Sequence, residues 1–189
     1  MRWDALFEDM EGQLAGRQRL EFEAEIAERA LVDSAGVELA DRLRGSLGLS
    51  IRVQLSSGRA FEGVLSHAGS EALVLDEPQH QVLIPYAAAA HYGGLSRVAV
   101  SEPSVVRRRL GLGSALRGLA RNRAPVTIFV AHDGADAGLY GVIDTVGRDF
   151  LDLAVTREGE ERPPGNARQV VAIPFGALAG IRSVGAAGG

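Results

Sequence analysis

The sequence predicts a mainly β protein with an N-terminal α-helical segment, in which one small β unit occurs twice. The first observation is a repeated run. Val82-Leu83-Ile84-Pro85-Tyr86-Ala87-Ala88-Ala89 is echoed by Val171-Ala172-Ile173-Pro174-Phe175-Gly176-Ala177-Leu178, and each copy reads as a strand stopped by proline and followed by a turn. The second is that the match extends upstream: Gly63-Val64-Leu65 precedes Leu73-Val74-Leu75 at the spacing with which Gly141-Val142-Ile143 precedes Leu151-Asp152-Leu153. The third is a change of period. Apolar residues recur at helical spacing up to about residue 43 and alternate with polar ones from Ile51 onward.

Composition bounds the possibilities. The 189 residues, 46% hydrophobic and 23% charged, suffice for one medium domain or two small ones. Cysteine is absent, which excludes disulfides, thiolate metal sites and a cysteine nucleophile and fits a reducing compartment. The start, Met1-Arg2-Trp3-Asp4, lacks the charged-then-apolar pattern of a signal peptide, and no stretch approaches the roughly 18 apolar residues of a membrane span. A soluble, cytoplasmic protein without a membrane partner is expected. All 20 basic residues are arginine, and the net charge of −4 is unevenly spread. Residues 1–48 carry 11 acids against 6 arginines, whereas residues 97–123 carry 7 arginines against one acid. Such asymmetry points to different partners for the two segments, or to attraction between them.

Taken in order, residues 1–48 form an amphipathic acidic helical segment. Asp4 is placed to cap a helix, and Glu8, Asp9 and Glu11 sit near its positive end. Trp3, Leu6, Phe7, Met10 and Leu14 make a first apolar stripe; Leu20, Ala24, Ala27 and Leu31 make a second, continued by Leu39 and Leu43. Gly12, Gly16 and Gly36 predict bends. Residues 49–100 form the first β unit. Its strands are Ile51 to Leu55, Phe61 to Ser66, Ala72 to Asp76 and Gln81 to Pro85, with turns at Ser57-Gly58, His67 to Ser70 and Glu77 to His80. A short helical turn through Ala87 to Ala90 and a fifth strand within His91 to Val100 close the unit. Residues 101–124, opened by Ser101-Glu102-Pro103, form an arginine-rich helical linker weakened by Gly111, Gly113 and Gly118. Residues 125–185 form the second unit, with strands around Val126 to Val130, Gly138 to Thr145, Phe150 to Val155, Gln169 to Pro174 and Ile181 to Val184. Its turn at His132 to Asp136 and its longer hairpin tip, Thr156 to Ala167, are polar, and 186–189 is a disordered tail.

This order of strand, glycine turn, bent strand carrying a glycine, strand, and strand ending near Ile-Pro resembles the Sm-like small β-barrel. Val53 to Ala90 resembles the bacterial Sm-like RNA chaperone most, through Gly58, Gly63-Val64-Leu65, Leu73-Val74-Leu75 and Ile84-Pro85-Tyr86. The resemblance implies two tandem five-stranded Sm-like small barrels, although the PRC barrel of ribosome-maturation factors shares the pattern. As a whole, the chain is similar to actinobacterial proteins that begin Met-Arg-Trp-Asp and place an acidic helix before such barrels. Sm proteins touch RNA through an Asp/Asn loop after the bent strand and an Arg-Gly loop after the fourth. Here those places read Ser66-His67-Ala68-Gly69-Ser70 and Pro85-Tyr86-Ala87-Ala88, and Ala87-Ala88 replaces the chaperone's Lys-His pair. The resemblance therefore implies a fold and not an inherited RNA site.

No catalytic constellation emerges. His67, His80, His91 and His132 lack zinc-site spacing. Asp133-Gly134-Ala135-Asp136 lacks the further oxygen ligands of a calcium loop, Gly111-Leu112-Gly113-Ser114 lacks the spacing of a dinucleotide fingerprint, and Asp144, Asp149 and Asp152 are dispersed by strand alternation and a turn. The expectation is a non-enzymatic interaction or adaptor protein without cofactor, metal or small-molecule substrate, binding protein partners or a second copy through its barrel surfaces or exposed sheet edges together with its helical arm. Trp3, Leu6, Phe7, Met10 and Leu14 are the candidate partner-binding residues. The alternative is an Sm-like RNA- or DNA-binding regulator using Arg107, Arg108, Arg109, Arg117, Arg121 and Arg123, which could neutralise several phosphates. Against it stand a pI near 5.6 and the lack of an aromatic interleaved with the arginines.

Overall fold

Where apolar and polar residues alternate with period two, the chain extends, and turn residues fold it back on itself. In a computed structural model the described residues are 36–102, 111–131, 138–156 and 169–184. The chain divides into two compact units, Met1–Glu38 and Leu39–Gly189, and the architecture below is that of the second. Its first half holds helix α1 (Leu39–Arg44) and strands β1 (Ser50–Leu55), β2 (Ala60–Ala68), β3 (Ala72–Asp76), β4 (His80–Pro85) and β5 (Ala89–Gly93). Its second half holds α2 (Leu112–Asn122), β6 (Pro125–Val130), β7 (Leu139–Val146), β8 (Phe150–Val155), β9 (Gln169–Pro174) and β10 (Leu178–Val184). The protein is mainly β, as its sequence predicts. The expected N-terminal helix before Gly36, the linker between Pro103 and Leu110, the His132 to Asp136 turn, the tip of the long hairpin and the tail lie outside the described residues.

All ten strands join one antiparallel sheet in the order β5-β1-β2-β3-β4-β10-β6-β7-β8-β9. This differs from two units that each close on themselves. The fifth strand of each half pairs with the first strand of that half, but β4 turns its other edge to β10, so the sheet runs on through both halves and stays open. The reason is non-local: β4 needs a partner for its second row of backbone groups, and β10 supplies it in place of β5.

The duplicated sequence makes duplicated hydrogen bonds. Gly69 N–H donates to the Ala72 carbonyl and Gly147 N–H to the Phe150 carbonyl, both at 2.9 Å. Tyr86 N–H donates to the Glu71 carbonyl and Phe175 N–H to the Asp149 carbonyl, both at 2.8 Å. Pro85 and Pro174 each end a strand and lead into a 3-10 turn, at Tyr86–Ala88 and Phe175–Ala177. A bulge follows Leu65 in β2 and Ile143 in β7. Gly63 and Gly141 allow these strands to cross their partners closely, since a Cβ at either would collide with the backbone carbonyl of Asp76 or Ala154. His67 and Ala68, expected in a turn, instead extend β2, because the bulge re-aims the strand without ending it.

Apolar side chains on the inner faces form two clusters, and each reaches across the join between the halves. Phe129 and Ala179 of the second half pack with Ile51, Val53, Phe61, Leu65, Leu73, Leu75 and Ile84 of the first. Ala72 and Leu83 of the first half pack with Val126, Ile128, Ile143, Leu151, Leu153 and Ile181 of the second. Within the segment expected to form a weak helix or two short ones, helix α2 runs unbroken through Gly113 and Gly118. Leu112 and Leu116 are buried, and the Glu71 carboxylate accepts a 2.6 Å hydrogen bond from Leu112 N–H at the helix start. Its end is set by Arg123, which takes the left-handed conformation at φ 46°.

Candidate functional site

Among the described residues, the sheet stops at two strands with a neighbour on one side only, β5 and β9. Their internal counterparts show what these edges are built to do. In β4, Val82, Leu83 and Ile84 are all buried, and β10 pairs with this strand through Ile181↔Leu83, Arg182↔Val82, Ser183↔Gln81 and Val184↔His80. Strand β9 repeats β4 residue for residue in position, yet Val170 is 53% exposed and Ala172 is exposed, because nothing described lies beside them. Strand β5 repeats β10. Ala179 is buried and its counterpart Ala90 is exposed, while Ile181 is buried and its counterpart Tyr92 only half-buried.

Proteins commonly blunt an edge with charge, proline or a covering element. The residues of β9, Gln-Val-Val-Ala-Ile-Pro, hold no charge and only a terminal proline; those of β5, Ala-Ala-His-Tyr-Gly, hold no Lys, Arg, Asp or Glu. Among the described residues no strand pairs with the second edge of either, the arrangement that strand addition uses. Tyr92 lies within β5, and partial burial pushes its hydroxyl up to about 12. Burial likewise raises Tyr86, despite the nearby Arg44 guanidinium, which acts in the opposite direction. Both rings are neutral structural groups, and the Tyr86 hydroxyl donates to the Gly69 carbonyl at 2.8 Å.

The join that β4 makes with β10 carries its own chemistry. The Phe61 and Phe129 rings meet at 5.5 Å between centroids, and the Arg59 guanidinium lies 4.0 Å from the centre of the Phe129 ring. Arg182 sits 5.4 Å from the Phe61 ring centre and makes a 3.0 Å ion pair with Glu77. Gly180 lies against this stack, where a Cβ would stand 3.4 Å from the Phe61 ring, an ordinary contact.

The structure brings some of the sequence-derived candidates together. Arg117 and Arg121 lie one turn apart on α2, Arg123 follows, and all three are exposed. Arg123 approaches Asp144 only at 4.0 Å, both side chains being largely solvated. Arg107, Arg108 and Arg109, like Trp3, Leu6, Phe7, Met10 and Leu14, lie outside the described residues. His67 and His91 are exposed in β2 and β5, His80 opens β4, and among the described residues no three histidine or acidic side chains converge as a metal site would require. Asp144, Asp149 and Asp152 accordingly form no cluster of that kind. Sequence reasoning named exposed sheet edges in general but did not identify β5 and β9 as those edges, nor the Phe61–Phe129 contact. The signal that could have found the edges is the repeat itself, since a doubled unit that joins head to tail leaves one unmatched edge at each end.

No protein-family model matches the chain, and no curated protein matches it. Among the described residues no helix is long and apolar enough to cross a membrane.

Proposed function

We propose that this chain is a non-enzymatic interaction protein, that its two five-strand groups are tandem Sm-like small barrels sharing one sheet, and that its working surfaces are the open edges β5 and β9. The observation that carries this reading is the pair of uncharged edge strands, one presenting the exposed Val170. An extended segment of a partner laid along either edge would gain main-chain hydrogen bonds along the strand, with side-chain contacts adding selectivity. A cytoplasmic location and a contribution from the helical arm around Trp3, Phe7 and Met10 belong to the same reading.

The test is capture of partners by the intact chain against two edge variants, Val170→Lys and His91→Lys. Both positions are exposed, so the fold is expected to persist while a lysine blunts each edge. Partners retained by the wild type and lost by one variant support the reading; partners held equally by all three sink it.

A second reading has one observation in its favour, the exposed Arg117, Arg121 and Arg123 at and just beyond one helix. Under it, RNA or duplex DNA would bind with an affinity that falls about tenfold or more between 50 and 200 mM salt, and Arg117→Glu with Arg121→Glu would abolish that binding. Salt-insensitive behaviour, or no binding at the lower salt, removes it.

A further inference from the structure

The two halves depart from each other at one place, and the departures converge. Strand pairing matches Phe61 with Leu139, Phe129 with Gln54 and Arg182 with Gly93, so an aromatic ring or a guanidinium stands at the join wherever the counterpart has neither. Arg59 completes the group from the tip of the β1–β2 hairpin, and its backbone is pinned there. Gly58 turns the chain at φ +90°, Leu55 N–H donates to the Arg59 carbonyl at 2.8 Å, and Gln54 Nε2 donates to the Gly58 carbonyl at 2.8 Å and the Arg59 carbonyl at 3.2 Å.

The charges of this group do not balance. Arg182 Nη2 lies 3.1 and 3.0 Å from the two carboxylate oxygens of Glu77, so that pair is neutral within itself. Arg59 lies 4.0 Å from the Phe129 ring centre and 5.9 Å from that of Phe61, and among the described residues no acid pairs with it. Its Nη2 and the Nε of Arg182 are buried without a hydrogen-bond partner among those residues, while the Arg59 side chain as a whole is only half-buried. A ring face attracts a cation but does not accept its N–H groups as an oxygen does. Holding the halves together accounts for the rings, Arg182 and Glu77; it leaves the surplus guanidinium and its unmet donors unexplained.

We infer that Arg59, backed by the Phe61 and Phe129 rings and beside Arg182, binds one carboxylate of a partner protein. The choice of occupant rests on the reading of the chain as an interaction protein; the site rests on its own geometry. A guanidinium is a planar fork that a carboxylate matches, and Glu77 already sets both its oxygens against the neighbouring Arg182. One carboxylate answers one uncompensated charge. A nucleic acid fits less well: Phe61 and Phe129 are 2% and 5% exposed and leave no face for a base to stack on, and Glu77 repels a run of phosphates.

The test titrates the full chain with short peptides and follows the arginine Nε–H signals by NMR. Acetyl-Glu-Gly-Ala amide offers a side-chain carboxylate, acetyl-Gln-Gly-Ala with a free C-terminus offers a terminal one, and acetyl-Gln-Gly-Ala amide offers neither. The Arg59 signal is expected to shift and saturate with a carboxylate peptide, at ~1–30 mM for one charge-assisted pair, and to stay in place with the neutral one. The tighter of the two carboxylate peptides tells a side chain from a chain end. Potassium chloride at matched ionic strength controls for screening. Arg59→Gln is expected to weaken the response about tenfold or more, read on the Arg182 signal, and Arg59→Lys, which keeps the charge and loses the fork, to fall between. The Leu83 and Ile181 amide signals report that the join stays folded in each variant.

An Arg59 signal that never saturates with either carboxylate peptide, or that answers the neutral peptide or potassium chloride equally, overturns the inference. So does a short single-stranded RNA that saturates the same signal at lower concentration than both peptides. Val170→Lys and His91→Lys lie away from this group and are expected to leave the titration unchanged. Edge-dependent capture of partners with no carboxylate response would sink this inference alone; a carboxylate response with capture indifferent to both edge variants would sink the edge reading and leave this site standing.

Discussion

Strands β4 and β9 are the same strand in two situations. Each follows a hairpin, ends in Ile-Pro and leads into a 3-10 turn, yet Leu83 is 8% exposed where its counterpart Ala172 is open to solvent. The difference is supplied by β10, whose Ile181 and Ala179 close over the join. What a repeated strand contributes to stability thus depends less on its own residues than on which strand lies beside it.

Breaking the comparison at its most buried point has the largest expected effect. Ile181→Ala removes a side chain that is 1% exposed and should cost about 2–5 kcal/mol, read by urea denaturation. Val170→Ala at the open edge should change stability by less than about 0.5 kcal/mol when measured on dilute, single chains. Equal losses at the two sites would mean that β9 is as enclosed as β4.

Next come the two glycines that let the bent strands cross. Gly63→Ala and Gly141→Ala should each cost about 1–3 kcal/mol, because the new methyl meets a backbone carbonyl that cannot swing aside. Similar values would show that both halves share one curvature, and a loss confined to one would show that only that half depends on it.

Glu71 and Asp149 sharpen the comparison further. They occupy the same place in the two halves, and both backbone carbonyls hold the turn after the proline. Only Glu71 is given a helix to cap, α2, through Leu112 N–H. Glu71→Ala should cost about 1 kcal/mol and Asp149→Ala less than about 0.5 kcal/mol, compared by thermal or chemical melting.

The smallest effect is at high pH. Tyr92 is raised in the folded chain from the ordinary 10.0 to about 12, so the unfolded chain loses its proton first. The stability that the neutral ring contributes is complete below pH 10 and drains away as pH rises toward 12. Tyrosinate absorbance in the ultraviolet should therefore lag behind that of the denatured protein, and Tyr92→Phe should reduce the lag.

By itself, the sequence marked ten strands along the chain, with the fifth placed too late, in His91 to Val100 where β5 runs Ala89–Gly93, and the last begun at Ile181 where β10 begins at Leu178. Alternation placed Ile51, Val53 and Leu55 inward, Gly58 marked a turn, and the proline after Ile84 and Ile173 marked two strand ends, because these signals act over a few neighbouring residues. It also showed the duplication, from which the counterparts in the two halves could be matched. The candidate arginines were legible as a charge run, but only the fold shows Arg117 and Arg121 turned to solvent while Leu112 and Leu116 anchor the helix. The continuous sheet was not legible. Whether β4 would meet β5 or β10 is a choice between two strands of nearly the same pattern, and short-range preference does not distinguish them. Only the tertiary structure decides it, through the burial of Leu83 against Ile181 and the stacking of Phe61, Phe129, Arg59 and Arg182, and that decision leaves β5 and β9 as the open edges.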